Sequence, residues 1–385
     1  MARILFLVFS GGGNLPPSLG IARALTERGH EAVFAGDPEM IPRMKPTPFC
    51  AIEFTDAYAQ LDLYRQSPFG RELCFLSSPA VESQARTFID DEKPDFILVD
   101  YLFLAARLAA RRSKRPAAVM VHMALSHVAD AFRGIIEDMS SFREKGGFAP
   151  LPPFEEHMSS EERVIVTSLG AVQQGRAASE GAGNIRYVGP ALEMEADARP
   201  IALPWRKDDQ RPLALISFST DPIQAAPDLI QRTLDALAPL DLRVVATVGR
   251  AIDPDRLTVP ANAVVAPAAD HDALMAAAAL VVTHGGHGTV MRALKHGAPT
   301  LVLPGFIPDQ APNAAIVAEL GAGRVLGQES DAAAIRAAAE DILRNPDYRA
   351  KARRAAGLFG PRDGALGAAD EVEKLLARKA ADEPA

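Results

Sequence analysis

The sequence predicts an α/β protein made of two parallel-sheet domains in series. Three observations carry this. Each half opens with a strand–helix–strand pattern: Ile4 to Phe9, Ser18 to Arg28 and Glu31 to Ala35 in the first, then Leu213 to Phe218, Ala226 to Leu237 and Arg243 to Val248 in the second. Between the halves, residues 189 to 212 are polar, proline-rich and without period, as a linker is. Late in the second half a β-branched apolar run, Leu280 to Thr283, passes through His284-Gly285-Gly286-His287-Gly288-Thr289 into a helical pattern, Val290 to Lys295.

Composition narrows the class. At 385 residues the chain has room for two cores, with 48% hydrophobic and 23% charged residues. A net charge of −8 argues against a general binder of nucleic acid or anionic membranes. Cys50 and Cys74 are the only cysteines, so neither a disulfide framework nor a CxxC metal site is expected. The apolar start, ARILFLVFS, lacks a cleavage site and is too short to span a bilayer. It reads as the first buried strand of a cytoplasmic protein.

Taken in order, strand one runs into Ser10 to Pro17, SGGGNLPP. A dinucleotide-binding turn would need glycine where Pro16 stands, and no Walker lysine follows. Asn14 suits a turn or a hydrogen bond to a ligand. Residues 40 to 90 read as irregular and proline-broken, and their aromatics (Phe49, Phe54, Tyr58, Tyr64, Phe69, Phe75) as core. Phe96 to Val99 is a buried strand. Asp100, at its carboxyl end, is either an N-cap for a helix over Leu102 to Ala110 or a site residue. Ala117 to Val121 is the next strand, with His122 and His127 just beyond it. Lys145-Gly146-Gly147 suggests a mobile loop within 128 to 160. Arg163 to Ser168 and Ile185 to Val188 close the first domain.

In the second half, Ser219 and Thr220 follow the first strand and either cap the next helix or face a ligand. Asp253-Pro254-Asp255 reads as a solvated turn in a connector rather than a metal pair. The loop 284–289 presents backbone N–H groups at a helix N-terminus, which suits a phosphate. Thr289 caps the helix or donates to a phosphate oxygen, and His284 donates from the strand end. A strand over Thr300 to Leu303 stops at Pro304. Asp309 and Gln310 lie in the following loop and offer acceptors and a donor for sugar hydroxyls. Helices over Ala314 to Leu320, Asp331 to Leu343, Tyr348 to Leu358 and Ala365 to Ala380 complete the chain.

Four ordered pieces, Thr283 to Thr289 (T-H-G-G-x-G-T), Ala293 to Pro299 (A-L-x-x-G-x-P), Asp309-Gln310 and Asn313 to Gly323 (N-A-x-x-V-A-E-L-G-A-G), resemble the donor-binding signature of the family 1 glycosyltransferases. The resemblance is in particular to the bacterial enzymes that glycosylate macrolides, enediynes and other natural products. Pro17 and Ala22 to His30 resemble the family's opening segment.

The resemblance implies a GT-B fold: two Rossmann-like domains facing a central cleft, with a C-terminal helix that crosses back to the N-domain. The expected division is an acceptor domain over 1–195, a linker over 196–212, a nucleotide-sugar domain over 213–362 and the crossing helix and tail over 363–385. It implies metal-independent, inverting transfer of a hexose or deoxyhexose from a UDP- or dTDP-sugar to a small lipophilic acceptor. The nucleotide sugar is a co-substrate, and no other cofactor is expected. Donor contacts fall to His284, Gly286, His287, Gly288, Thr289, Asp309 and Gln310, with Ser219 and Thr220 as secondary ones.

Two departures stand out. Asn14 occupies the place of the family's catalytic histidine, and an amide is no general base. Asp100, which in relatives holds that histidine, is then the base itself or the support of another one, with His122 and His127 nearest by topology. In the nucleoside region Ala268, Asp270 and His271 replace a W-x-P-Q pattern, and Arg292 replaces the usual ribose-binding acid. Loss of that acid suits a deoxyribose donor. Two other readings stay open: a non-catalytic binding partner silenced at Asn14, and a sugar-nucleotide epimerase. Against them stand the intact phosphate loop and the scarcity of acids and bases. The expected partners are the nucleotide sugar and the acceptor, with no nucleic acid and no membrane span, and a homodimer is the open option for assembly.

Overall fold

Hydrophobic residues on both faces of a strand require cover on both sides, and both sheets of this protein are built that way. The structure is a computed structural model that describes residues 1–11, 13–55, 57, 68–145, 148–153, 156, 163–169, 183–192, 201–206, 208–218, 226–249, 252–360 and 362–382, without the side chains of 68–72, 126–132 and 380–382. It divides into two compact units, Met1–Glu193 with Pro361–Ala385, and Met194–Gly360.

The first unit carries a seven-stranded parallel sheet in the order β3-β2-β1-β4-β5-β6-β7. Its strands are β1 (Arg3–Leu7), β2 (Glu31–Gly36), β3 (Cys50–Glu53), β4 (Phe96–Asp100), β5 (Ala117–Val121), β6 (Val164–Val166) and β7 (Ile185–Tyr187). From the central β1, Ile4 and Phe6 face one layer of core while Leu5 and Leu7 face the other.

Helix α1 (Leu15–Glu27) starts earlier than the apolar pattern suggests, because Pro16 and Pro17 fit a first turn whose N–H groups need no partner. It packs with the C-terminal helix Gly364–Asp382 over the Ile4 and Phe6 face, where Ala365, Ala368, Ala369, Val372 and Leu375 recur at helical spacing. Arg28 pairs with Glu373 at 2.7 Å and Asp370 at 2.9 Å along that seam. Gly364 is required there: a Cβ would stand 1.9 Å from the Gly189 carbonyl oxygen.

Two expectations are corrected here. Residues 40 to 90 are not irregular. They hold the helix Met40–Met44, β3 and the helices Pro68–Ser77 and Pro79–Glu92, the last begun by the Ser78 cap and Pro79. Phe54 and Phe75 are core, as read, whereas Tyr58, Tyr64 and the Phe69 side chain lie outside the described residues. The suspected loop over 128 to 160 is largely a 21-residue helix, Leu125–Lys145, whose amphipathic pattern outweighs its charges. Gly146 and Gly147 lie outside the described residues.

The second unit carries six parallel strands in the order β10-β9-β8-β11-β12-β13. These are β8 (Leu213–Ser217), β9 (Arg243–Thr247), β10 (Ala263–Ala266), β11 (Ala278–Thr283), β12 (Thr300–Val302) and β13 (Gly323–Val325). Both sheets thus reverse strand order beside their first strand, between β1 and β4 and between β8 and β11, and the crevice at the carboxyl end of such a point is where open α/β sheets bind ligands. Among the described residues no helix is long and apolar enough to cross a membrane.

Candidate functional site

In the second unit β11 ends at Thr283 and the helix His287–Lys295 begins four residues later. The cap is Gly286, so Thr289 sits inside the first turn and does not cap, which corrects that expectation. The physical reason is that Gly288 and Thr289 already have helical backbone, and Val290 N–H already bonds back to the Gly286 carbonyl at 3.0 Å. The N–H groups of His287, Gly288 and Thr289 therefore precede the first intrahelical donor, Val290 N–H, and point off the helix end, where the dipole is positive.

The approach to this turn is fixed at Gly285. Its φ of +93° is left-handed, and a Cβ there would stand 2.9 Å from the Gln310 carbonyl oxygen. The Thr283 hydroxyl accepts the Gly285 N–H at 3.3 Å, and Asn313 Nδ2 donates to the Gly285 carbonyl at 2.8 Å. Asn313, 1% exposed, is a residue that sequence reasoning missed as part of the site. Its signal was its place just after Asp309-Gln310 in the family pattern.

His284 leaves the strand end with its ring stacked on Phe218 at 6.2 Å. Burial lowers its pKa to about 4, against a weaker opposing pull from the Ser217 backbone, so the imidazole is neutral at pH 7. Its Nδ1 has no hydrogen-bond partner among the described residues. His287 is 8% exposed, and His284, Gly286, Gly288 and Thr289 are partly exposed.

The Asp309-Gln310 pair is split by the fold. Gln310 does not lie in a loop; it opens the helix Gln310–Glu319, because Pro312 is tolerated in a first turn. At 3% exposure, its Oε1 accepts the Gly305 N–H at 2.6 Å and ties down the preceding loop. Asp309 is the N-cap residue and makes no side-chain cap bond. Ser219 and Thr220 lie outside the described residues.

Beside this loop is a polar cluster. Arg292 Nε donates to Asp272 at 3.0 Å, and His296 Nε2 lies 2.7 Å from the other Asp272 oxygen. Burial alone would raise the Asp272 pKa, but hydrogen bonds from His296 and Arg292 win and hold it below the usual range. His271 lies 2.9 Å from the Thr247 hydroxyl; burial, with help from the Arg292 charge, lowers its pKa to about 4. Asp253, by contrast, accepts the Asp255 N–H at 3.1 Å and caps a single 3₁₀ turn, Pro254–Arg256.

In the first unit three residues far apart in sequence meet at the ends of β1, β4 and β5. Asp100 is fully buried. Its Oδ1 accepts the Leu102 N–H at 2.9 Å, so it caps a turn, while the helix itself begins at Leu104 (Leu104–Ser113). Its Oδ2 accepts the Asn14 Nδ2 at 3.1 Å and lies 3.5 Å from His122 Nδ1. Asn14 is therefore not spent on its own turn, where it makes no side-chain cap bond. The His122 ring is 5% exposed and stands edge-on to Tyr101 at 5.4 Å. His127 lies on the helix Leu125–Lys145, and its side chain is outside the described residues.

Residues 231–358 match the family described as "Erythromycin biosynthesis protein CIII-like, C-terminal domain". The chain is 25% identical over 386 residues to the NDP-glycosyltransferase YjiC of Bacillus licheniformis, covering 95% of each. It superposes on the calicheamicin glycosyltransferase CalG4 with a TM-score of 0.75 at 26% identity, covering 99% of both chains. The glycosyltransferase VinC, solved in complex with dTDP, matches with a TM-score of 0.73 at 18% identity over 98% of this chain and all of that one (100%), a likeness of fold. With two Rossmann-like parallel-sheet units and the glycine loop at the second switch point, the chain is a glycosyltransferase built on the GT-B fold and is similar to the enzymes of family 1.

Proposed function

We propose that the protein transfers a hexose or deoxyhexose from a nucleoside diphosphate sugar to a small lipophilic acceptor, with inversion at the anomeric carbon and no metal ion. The second unit takes the donor and the first takes the acceptor. The observation that carries this is the turn from Thr283 to Thr289, where first-turn N–H groups and a neutral His284 converge at the carboxyl edge of the sheet. The departing diphosphate gains charge as the glycosidic bond breaks, and oriented N–H groups at a helix N-terminus stabilise that charge without reorganising. This supplies what a divalent cation supplies elsewhere. Asp309 orients the sugar hydroxyls, and Gln310 holds the loop that carries it.

The donor is read as a dTDP-sugar. The acid that would grip two ribose hydroxyls is Arg292 here, and the nearby Asp272 carboxylate is committed to Arg292 and His296. The dTDP complex of VinC is in line with this. Matched UDP- and dTDP-sugars test it: a preference for dTDP is expected, and equal turnover removes the support. The acceptor is read as a phenol or heteroaromatic N–H compound.

The function is tested by incubating the protein with UDP- and dTDP-sugars and a library of phenols and macrolides, read by mass. A sugar-sized increment that Asp100→Ala and Asp309→Ala both lose is expected. Donor binding with no increment on any acceptor would contradict transfer and favour a binding protein.

A further inference from the structure

We infer that His122 is the general base of the transfer, taking the role that Asn14, an amide, cannot fill. The inference rests on the glycosyl-transfer reading above and assigns its proton-accepting atom. Asp100 ends β4, His122 follows β5, and Asn14 stands at the start of α1 after β1; these three strands are neighbours in the sheet, at the switch point.

The carboxylate of Asp100 is shared. One oxygen is fixed by the Leu102 backbone; the other faces both Asn14 Nδ2 at 3.1 Å and His122 Nδ1 at 3.5 Å. Asn14 can only donate there, so it holds the carboxylate in orientation and takes no proton. His122 Nδ1 is enclosed and has no hydrogen bond among the described residues, while Asp100 Oδ2 is the charged group it faces. An Nδ1–H directed at Asp100 leaves the lone pair on Nε2, across the ring. Catalytic hydrogen bonds are often long before substrate binds and tighten in the complex, so a 3.5 Å separation is compatible with the pair. Tyr101, edge-on to the ring, limits its rotation, and the Tyr101 hydroxyl is itself engaged with Met123 Sδ at 3.1 Å.

The step balances within these groups. The acceptor O–H proton passes to His122 Nε2, and the oxygen's electron pair forms the bond to the anomeric carbon. The bond from that carbon to the diphosphate oxygen breaks, and its electrons leave on the diphosphate. Asp100 stabilises the resulting imidazolium, as the carboxylate of a base–carboxylate pair does.

The test is the dependence of the His122→Gln effect on acceptor acidity. The acceptors are 4-nitrophenol, largely ionised at mildly alkaline pH, and 4-methoxyphenol, which is not; the donors are dTDP-glucose and UDP-glucose. A base matters only for the acceptor that still holds its proton. With 4-methoxyphenol kcat falls by about 10² to 10⁴-fold. With 4-nitrophenol it stays within about tenfold, which also shows that the variant is folded. Equal losses on both phenols would make His122 a structural residue and overturn the inference, as would a loss below about threefold on 4-methoxyphenol. Wild-type protein that transfers to neither phenol would overturn the reading of phenolic acceptors and this assignment with it, an outcome distinct from failure of the variant alone.

Discussion

The two sheets place their chemistry at the same topological point and deliver it by different means. On the proposed reading, the working groups at the β8/β11 edge are backbone N–H groups, made available by Gly285, Gly286 and a helix start. At the β1/β4 edge they are side chains from Asn14, Asp100 and His122, drawn together over more than a hundred residues of sequence. A backbone site is defined by conformation, so few substitutions preserve it and its sequence stays close to the family pattern. A side-chain site needs only the right atom at the right place, and another strand end can supply it.

The sharpest way to break this contrast is at Gly285. In Gly285→Ala the left-handed φ costs about 1–2 kcal/mol, and the new Cβ meets the Gln310 carbonyl, so the turn shifts. Affinity for dTDP is expected to fall at least ~30-fold by calorimetry, about 2 kcal/mol. Binding within threefold of wild type would mean that the diphosphate does not rest on this turn.

The side-chain edge is sharpened by moving its base. His122→Gln combined with Asn14→His puts a histidine back beside Asp100 Oδ2. Turnover of 4-methoxyphenol is expected to recover at least ~10-fold over His122→Gln alone, within the range of general-base catalysis. No recovery would mean that Asp100 does not act through whichever histidine it faces.

Acid pH separates the units more gently. His284 and His271 titrate at about 4 in the folded protein, below the ordinary histidine value of 6.5. Their contribution to stability is thus present above the unfolded value and is lost as pH falls from about 6.5 through about 4. The urea midpoint of wild type should drop over that window, and less so in His271→Asn, where one of the two groups no longer titrates. An equal drop in the variant would mean that His271 binds its proton as readily folded as unfolded.

The smallest effect belongs to the seam between α1 and the C-terminal helix. Glu373→Gln breaks a partly exposed pair with Arg28 and should cost at most ~1 kcal/mol, with less cost at high salt. A larger, salt-insensitive loss in denaturant unfolding would show that the pair does more than a surface ion pair does.

The same contrast explains what was legible in the sequence. The 284–289 turn was readable because glycine, strand and helix signals are contiguous there; only the helix start was misplaced, since Gly288 and Thr289 look like loop residues but have helical backbone. Asn313 was hidden because its work is to hold the Gly285 carbonyl, 28 residues away in sequence. Asn14 and Asp100 were both visible as departures or strand ends, but that they share Oδ2 with His122 follows only from the order of β1, β4 and β5. The helices Pro68–Ser77 and Pro79–Glu92 were obscured by prolines nearby, although Ser78-Pro79 is itself a helix-start signal.

Whether the diphosphate rests on the turn from Thr283 to Thr289 is read from the backbone amide spectrum of ¹⁵N-labelled protein titrated with dTDP. Saturable shifts are expected, largest at the N–H groups of His287, Gly288 and Thr289, with His284 and Gly286 following. Saturating dTDP that left those three amides unmoved, or moved amides elsewhere instead, would contradict that placement.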